Sequence, residues 1–328
     1  MHEHSPTRRA AAVFLTLAVS FAAGADASNE VDRQSLDDAW WTGPIVAAGA
    51  ATLPQGHALI EPYVFDAITR GRYDSDGNYR PSDTVHSFGS LTYMLYGVTD
   101  AFTAGVIPTF GFNDVSSGED SSGIGVGDVT LQAQFRLSQF DANRHLPTSS
   151  LVLQQTLPTG QYDRLGTRPS DGLGAGAYTT SLAVHSQYYF WMPSGRILRT
   201  RLNVAYAMSD SVDVTDTSVY GTSEGFRGHA DPGDTFSIYS AWEYSVTRKW
   251  VLALDVFYQR DDSTSVRGTD GQMPFAAESG SAWRLGLAPA IEYNFTSRVG
   301  VIVGARWFAA GRNTSASVTP VAAINMVY

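Results

Sequence analysis

From about residue 57 onward, apolar and polar residues alternate one by one. In 127–137, Val129, Leu131, Ala133, Phe135 and Leu137 fall on one side, and Asp128, Thr130, Gln132, Gln134 and Arg136 on the other. Successive side chains of a strand point to opposite faces, so a period of two predicts a strand with one apolar and one polar surface. The pattern returns where Leu198, Thr200, Leu202, Val204, Tyr206 and Met208 oppose Arg199, Arg201, Asn203, Ala205 and Ala207. It returns again around Leu252 and Leu254, and around Leu285, Leu287 and Ile291. These runs are about 10–14 residues long, whereas strands of soluble proteins average about 5–6. A tilted strand crossing a bilayer needs about 9–11.

Read this way, strands are expected at 57–70, 84–97, 101–113, 124–137, 150–158, 174–190, 197–208, 234–245, 250–260, 282–295, 299–309 and 315–328. The count is twelve, and bacterial membrane barrels use even numbers. Long connections (71–83, 114–123, 159–173, 209–233, 261–281) alternate with short ones at 98–100, 191–196, 246–249 and 296–298, and 138–149 is intermediate. The link 310–314 is short where a long one is due. The fold class expected is all-β, a closed transmembrane antiparallel barrel of about 12 strands, with both termini on the periplasmic side. Closure pairs every backbone polar group inside lipid. Aromatic residues recur at the predicted strand ends, among them Tyr188, Phe190, Trp250, Phe295 and Trp307, as interfacial girdles require. The last strand alternates Val318, Pro320, Ala322, Ile324 and Met326 and closes the chain on Tyr328, a pattern suited to the barrel-assembly machinery.

The first residues form a separate segment. Arg8 and Arg9 precede the apolar run 10–23 and the small-residue pattern Ala25-Asp26-Ala27. This makes 1–27 a secretory signal peptide, since the apolar run is short of the ~20 residues of a spanning helix. Residues 28–56 are then an N-terminal segment, either periplasmic or folded into the lumen, and 57–328 are the barrel. The segment carries Trp40 and Trp41 and the small-residue run Ile45 to Ala51, so Trp40 and Trp41 are candidates for a plug.

Composition narrows the chemistry. There are 32 Asp and Glu against 22 Lys and Arg, a net charge of −10, no cysteine, and Lys249 is the only lysine. Nucleic-acid phosphates need a surplus of basic residues, so no nucleic-acid partner is expected. Without cysteine there is no disulfide, thiolate metal site or thiol catalysis. No zinc motif, nucleophile elbow or phosphate-binding glycine loop is present, so no enzyme, metal or cofactor is expected. His86-Ser87 and His185-Ser186 are sequence neighbours that point to opposite faces of a strand, so neither pair forms a nucleophile and its base.

The segment Thr42-Gly43-Pro44-Ile45, with Leu53-Pro54-Gln55-Gly56-His57 and Glu61-Pro62-Tyr63, resembles the start of the outer-membrane barrel family labelled for the meta-pathway of phenol degradation. Gly125-Val126-Gly127-Asp128-Val129 and Leu157-Pro158-Thr159-Gly160 are similar to its internal strands. Tyr96 to Asp100 and Gly300 to Arg306 are similar to a turn and its penultimate strand. The resemblance implies an outer-membrane transporter for small solutes, aromatic or otherwise hydrophobic.

The charged residues placed on polar faces are the candidate lumen lining: Glu61, His86, Asp128, Arg136, Arg199, Arg201, Glu243, Asp255, Arg284, Glu292 and Arg306. Charges of both signs inside a barrel either select solutes or pair across it and hold it shut. Arg199 and Arg201, two residues apart on one face, are the best candidates for an anion-attracting rung. Within outer-membrane lipid, the acidic loops 209–233 and 261–281 either stay solvated or bridge lipopolysaccharide through divalent cations. Two other functions remain open, a closed structural or surface-interaction barrel and a lipid-modifying enzyme.

Overall fold

The computed structural model describes residues 32–328. The expected signal peptide, 1–27, lies outside the described residues. Strands follow in the order β1 (Ala58–Tyr73), β2 (Tyr79–Thr99), β3 (Phe102–Ile107), β4 (Thr109–Val115), β5 (Gly125–Val126) and β6 (Val129–Ser138). Next come β7 (Thr148–Leu157), β8 (Thr179–Trp191), β9 (Ile197–Ser209), β10 (Val212–Thr215), β11 (Phe226–Asp231) and β12 (Thr235–Ser245). The chain ends with β13 (Trp250–Asp261), β14 (Ser265–Asp270), β15 (Met273–Glu278), β16 (Ala282–Asn294), β17 (Val299–Arg312) and β18 (Thr314–Val327).

Fourteen of these strands form one antiparallel sheet in which β1 pairs with β18 on one side and β2 on the other, so the sheet closes on itself. β3 and β4 are halves of a single barrel strand, parted at Pro108, which has no N–H to offer a neighbour. β5 and β6 are halves of the next, parted at Gly127 and Asp128. Counting each divided strand once, the barrel has twelve. Every predicted strand has its counterpart, the largest differences being five residues, at the start of β2 (Tyr79 rather than 84) and of β8 (Thr179 rather than 174). The first hairpin is longer than expected, because β1 and β2 continue pairing as far as Tyr73 and Tyr79.

The polarity of this barrel is inverted relative to a soluble protein. Leu131, Phe135 and Leu137 are exposed, Leu137 by 59%, as are Leu202, Leu252, Ile291 and Val303, while Glu243, Asp255 and Glu292 have no exposed surface at all. Lipid is the solvent that makes such a distribution stable: the outward apolar belt needs no partner there, whereas inward carboxylates need donors. Rings gather near the short turns, where Trp250 meets Tyr293 at 4.6 Å and Tyr188 meets Phe190 at 4.8 Å between centroids.

Two connections expected as loops are structured. β10, β11, β14 and β15 make a second, four-stranded antiparallel sheet at the long-loop end. Val212, Val214, Phe226, Ala230 and Val266 are buried in it, with Tyr162, Tyr220 and Phe275 packed against them. Burial pushes the Tyr220 phenol up to about 12, so it stays a neutral donor to the Ala175 carbonyl, 2.5 Å away. Its strands are only four to six residues long, too short for alternation to stand out in sequence.

Candidate functional site

Residues 34–56, before β1, run through the barrel interior. The segment starts among the short turns, where the Gln34 N–H donates to the Gly195 carbonyl at 3.0 Å and Trp191 Nε1 donates to the Gln34 carbonyl at 2.8 Å. Thr42 and Gly43 donate their N–H groups to Glu292 Oε2 at 2.7 and 3.1 Å. Ile45 and Ala47 donate theirs to the two oxygens of Asp255 at 3.0 and 2.9 Å. Carbonyls are served in turn: Arg201 Nη1 donates to Ala47 O at 2.9 Å, Asn203 to Ala48 O at 3.0 Å and Gln134 to Gly49 O at 3.1 Å. The segment returns to the short turns at Leu53, bonded to Thr103 Oγ1 at 2.9 Å, and at Gly56, bonded to Gly97 O at 2.8 Å.

This arrangement follows from the sequence of the segment. Ile45 to Ala51 is small and apolar and has no side-chain donors or acceptors. Backbone polar groups taken into an interior need partners, and here the wall supplies them, carboxylates for N–H groups and Arg, Asn and Gln for carbonyls. Apolar contact adds to this: Ile45 packs beside the inward-facing Tyr63, Ala290, Ile302 and Val321. The wall is also shaped for the segment. A Cβ at Gly97 would collide with the carbonyls of Leu53 and Pro54, and one at Gly300 with Thr42 Oγ1.

Beside the segment lies an ion cluster. Arg199 donates through Nε to Glu243 Oε2 at 2.8 Å and through Nη2 to Oε1, and Arg201 Nε lies 3.0 Å from Oε2. The Arg199 guanidinium also sits 4.3 Å over the Trp41 ring. Trp40 is nearer the turns, 4.5 Å from the Arg248 guanidinium. Register explains the pairing, since Glu243 on β12 stands directly opposite Arg199 on β9. Arg199 and Arg201 therefore spend their charge on Glu243, Trp41 and the segment backbone, which is the pairing alternative for these inward charges.

On the long-loop side of the segment is a cavity of about 530 Å³. Val46 and Ala48 form part of its lining, with Gln132, Gln154, Thr156, Ser181, His185, Asn203, Ser237 and Gln259 from the wall. Four aromatic residues, Tyr93, Tyr239, Phe257 and Phe308, and two cations, Arg284 and Arg306, complete it. Arg284 Nη2 is 3.2 Å from Asp261 Oδ2. Arg306 makes no ion pair or hydrogen bond among the described residues, and its guanidinium lies 5.8 Å from the Phe308 ring centroid. A smaller space of about 170 Å³ lies between the segment and Glu61, Tyr63, Leu95 and Thr103.

The eleven candidates thus separate. Glu61, Arg199, Arg201, Glu243, Asp255 and Glu292 surround the segment, Glu61 accepting from Asn325 Nδ2 at 3.2 Å. Arg284 and Arg306 line the larger cavity. Arg136 shares the inward phase of Gln132 and Gln134 but contacts neither cavity. His86 points outward: it shares its face with Phe88, stacks on it at 5.8 Å and binds Asp66 at 2.8 Å, so its polarity is met on the outer wall. Asp128 ties down the 159–175 connection instead, accepting from Gly160 N at 2.9 Å and Ala175 N at 2.7 Å. The wall residues Gln134, His185 and Asn203 are absent from the lumen-lining candidates, although they occupy the same polar phase. Among the described residues no group of three His, Asp or Glu side chains is placed to hold a metal.

A family model described as "Putative MetA-pathway of phenol degradation" matches residues 63–319. The chain belongs to this family. Among solved structures, this family member is similar to an outer membrane channel from Pseudomonas putida F1, at 16% identity and a TM-score of 0.66, over 87% of this chain and 100% of that one. That likeness establishes the barrel fold. The NanC porin aligns at 10% identity and a TM-score of 0.41, over 81% of this chain and 98% of that one. A variant of the TodX monoaromatic hydrocarbon channel aligns at 11% identity and a TM-score of 0.35, over 84% and 90%. No curated protein matches the chain in sequence.

Proposed function

We propose that this protein is an outer-membrane channel for passive passage of small solutes, aromatic or hydrophobic ones included, with the segment before β1 as its hatch. The observation that carries the reading is a polar-walled interior whose larger cavity ends on Val46 and Ala48. Solute entering from the long-loop end reaches a chamber wide enough for a small organic molecule and stops at a strip of backbone. Passage requires that strip to leave. Wall and strip are joined by hydrogen bonds and one small apolar contact, with no strand pairing between them, so the strip is the weakest barrier along the axis.

In this reading the chain is exported by residues 1–27, inserted through its last strand by the barrel-assembly machinery, and surrounded by outer-membrane lipid and lipopolysaccharide. The short turns and the hatch face the periplasm. No energy source or bound group takes part; the mechanism is diffusion along a polar wall, gated by the hatch.

The test is planar-bilayer conductance of the refolded chain beside a variant lacking residues 28–50. Rare small openings in the former and steady large steps in the latter are expected. Equal conductance in both would overturn the hatch. Silence from both, with folding verified by the heat-dependent shift in gel mobility, would overturn the channel and favour a closed structural barrel.

A further inference from the structure

Charge is divided by level inside this barrel. Around the hatch, Glu61, Glu243, Asp255 and Glu292 outnumber Arg199 and Arg201. The chamber above is lined by Arg284 and Arg306 and by no carboxylate, and Arg284 binds Asp261 at 3.2 Å. Arg306 is therefore a cation left over, inside a cavity walled by protein. Its lining supplies hydroxyls, amides and aromatic rings, and no carboxylate.

The rings are arranged around the cations. The Phe308 ring lies 5.8 Å from the Arg306 guanidinium and 5.4 Å from that of Arg284. Phe257 meets Phe308 edge-on at 5.9 Å, and Tyr239 lies 6.4 Å from Phe257. An unpaired guanidinium offers a planar fork of N–H donors whose natural complement is a carboxylate. Adjacent ring faces and edges complement a flat apolar body. Small-molecule sites generally combine such apolar walls with one or two fixed polar groups, in cavities of about 300–1,000 Å³, and the chamber measures about 530 Å³.

We propose that the chamber is a binding station for a small aromatic carboxylate, held by its carboxylate on Arg306 and by its ring against Phe308, Phe257 and Tyr239. This rests on the channel reading for its biological meaning and narrows the solute from any small hydrophobic molecule to an aryl anion. Arg306 gives the charge complement; Arg284, half-satisfied by Asp261, contributes less. The anion stops there because the hatch closes the axis below, where Val46 and Ala48 form part of the chamber lining.

Isothermal titration of the refolded full chain in detergent tests this, with benzoate as probe and benzyl alcohol and acetate as controls. Benzoate is expected to bind at least tenfold more tightly than either control. Arg306→Gln should lower benzoate affinity at least tenfold and Arg306→Lys should restore part of it, while Arg284→Gln has a smaller effect. Should Arg306→Gln not fold, Ser237→Asp tests the same point by placing a carboxylate in the chamber, and it should abolish benzoate binding. Equal binding of benzyl alcohol, or benzoate affinity unchanged in Arg306→Gln or Ser237→Asp, would overturn the proposal. Conductance is measured separately. A conducting protein that ignores benzoate leaves the channel standing without the station; a benzoate-binding protein that never conducts leaves the station without the channel.

Discussion

Replacing Asp255 by Ala should release the hatch. Its two oxygens accept the Ile45 and Ala47 N–H groups at 3.0 and 2.9 Å, and the residue is wholly buried. Hydrogen bonds to a charged group contribute about 1.5–3 kcal/mol each, so the pair holds the segment by about 3–6 kcal/mol. Water admitted to the vacated space can hydrate the freed N–H groups, recovering roughly half of that by the cost of an unmet donor. The remaining shift, about 1.5–3 kcal/mol, corresponds to a rise of roughly 12- to 140-fold in the population with the segment withdrawn. A chain without cysteine offers a direct assay. Thr42 is buried against Glu292 and Asn294, so a thiol introduced as Thr42→Cys is reached by a water-soluble maleimide only after withdrawal. The labelling rate of Thr42→Cys/Asp255→Ala should exceed that of Thr42→Cys alone at least tenfold, with the barrel still shifting normally on an unheated gel. A rate within twofold of the parent would refute the idea that these two bonds secure the segment.

Other outcomes follow from the same geometry. Glu243→Gln leaves two buried guanidiniums without their carboxylate and should cost about 3–5 kcal/mol, read as a lower urea midpoint for the barrel in vesicles; Arg201→Gln should cost less, because Arg199 keeps its partner, and equal losses would contradict the assigned pairing. Gly300→Val drives a side chain into Thr42 and should raise conductance while the barrel remains folded; unchanged conductance would show that the wall does not need glycine there. Leu202→Arg puts a charge on the exposed outer belt and should destabilise the vesicle-embedded barrel by about 2–4 kcal/mol, whereas a neutral effect would place that face against water.

The twelve barrel strands were legible in the sequence because one physical demand, apolar out and polar in, repeats along each of them. Interruptions of the ladder were not: 101–113 and 124–137 read as continuous, yet Pro108 and the Gly127-Asp128 pair divide them. A break in hydrogen bonding leaves the side-chain alternation almost untouched. The candidate site was legible only as a set of inward charges. Which of them neutralise one another depends on register between strands far apart in sequence, as for Arg199 and Glu243, separated by 44 positions. Local alternation carries no such information, and so it did not distinguish the engaged Arg199 and Arg201 from the unengaged Arg306. His86 failed for a different reason: a polar residue was read as inward, but Asp66 on the neighbouring strand gives it a partner on the outer wall. The small run Ile45 to Ala51 announced a segment thin enough to enter a lumen, without saying which wall residues would receive it.

The segment before β1 enters among the short turns near Gly195 and leaves among them again near Gly97. It is a bight of chain, with both limbs on the same side, and never passes out through the far opening. Among the described residues nothing is threaded topologically. Extraction and reinsertion therefore need neither separation of β1 from β18 nor release of the carboxy-terminal strand, and the closed wall is a spectator to both. The order of assembly is equally free, since the wall can be completed before the bight is tucked in.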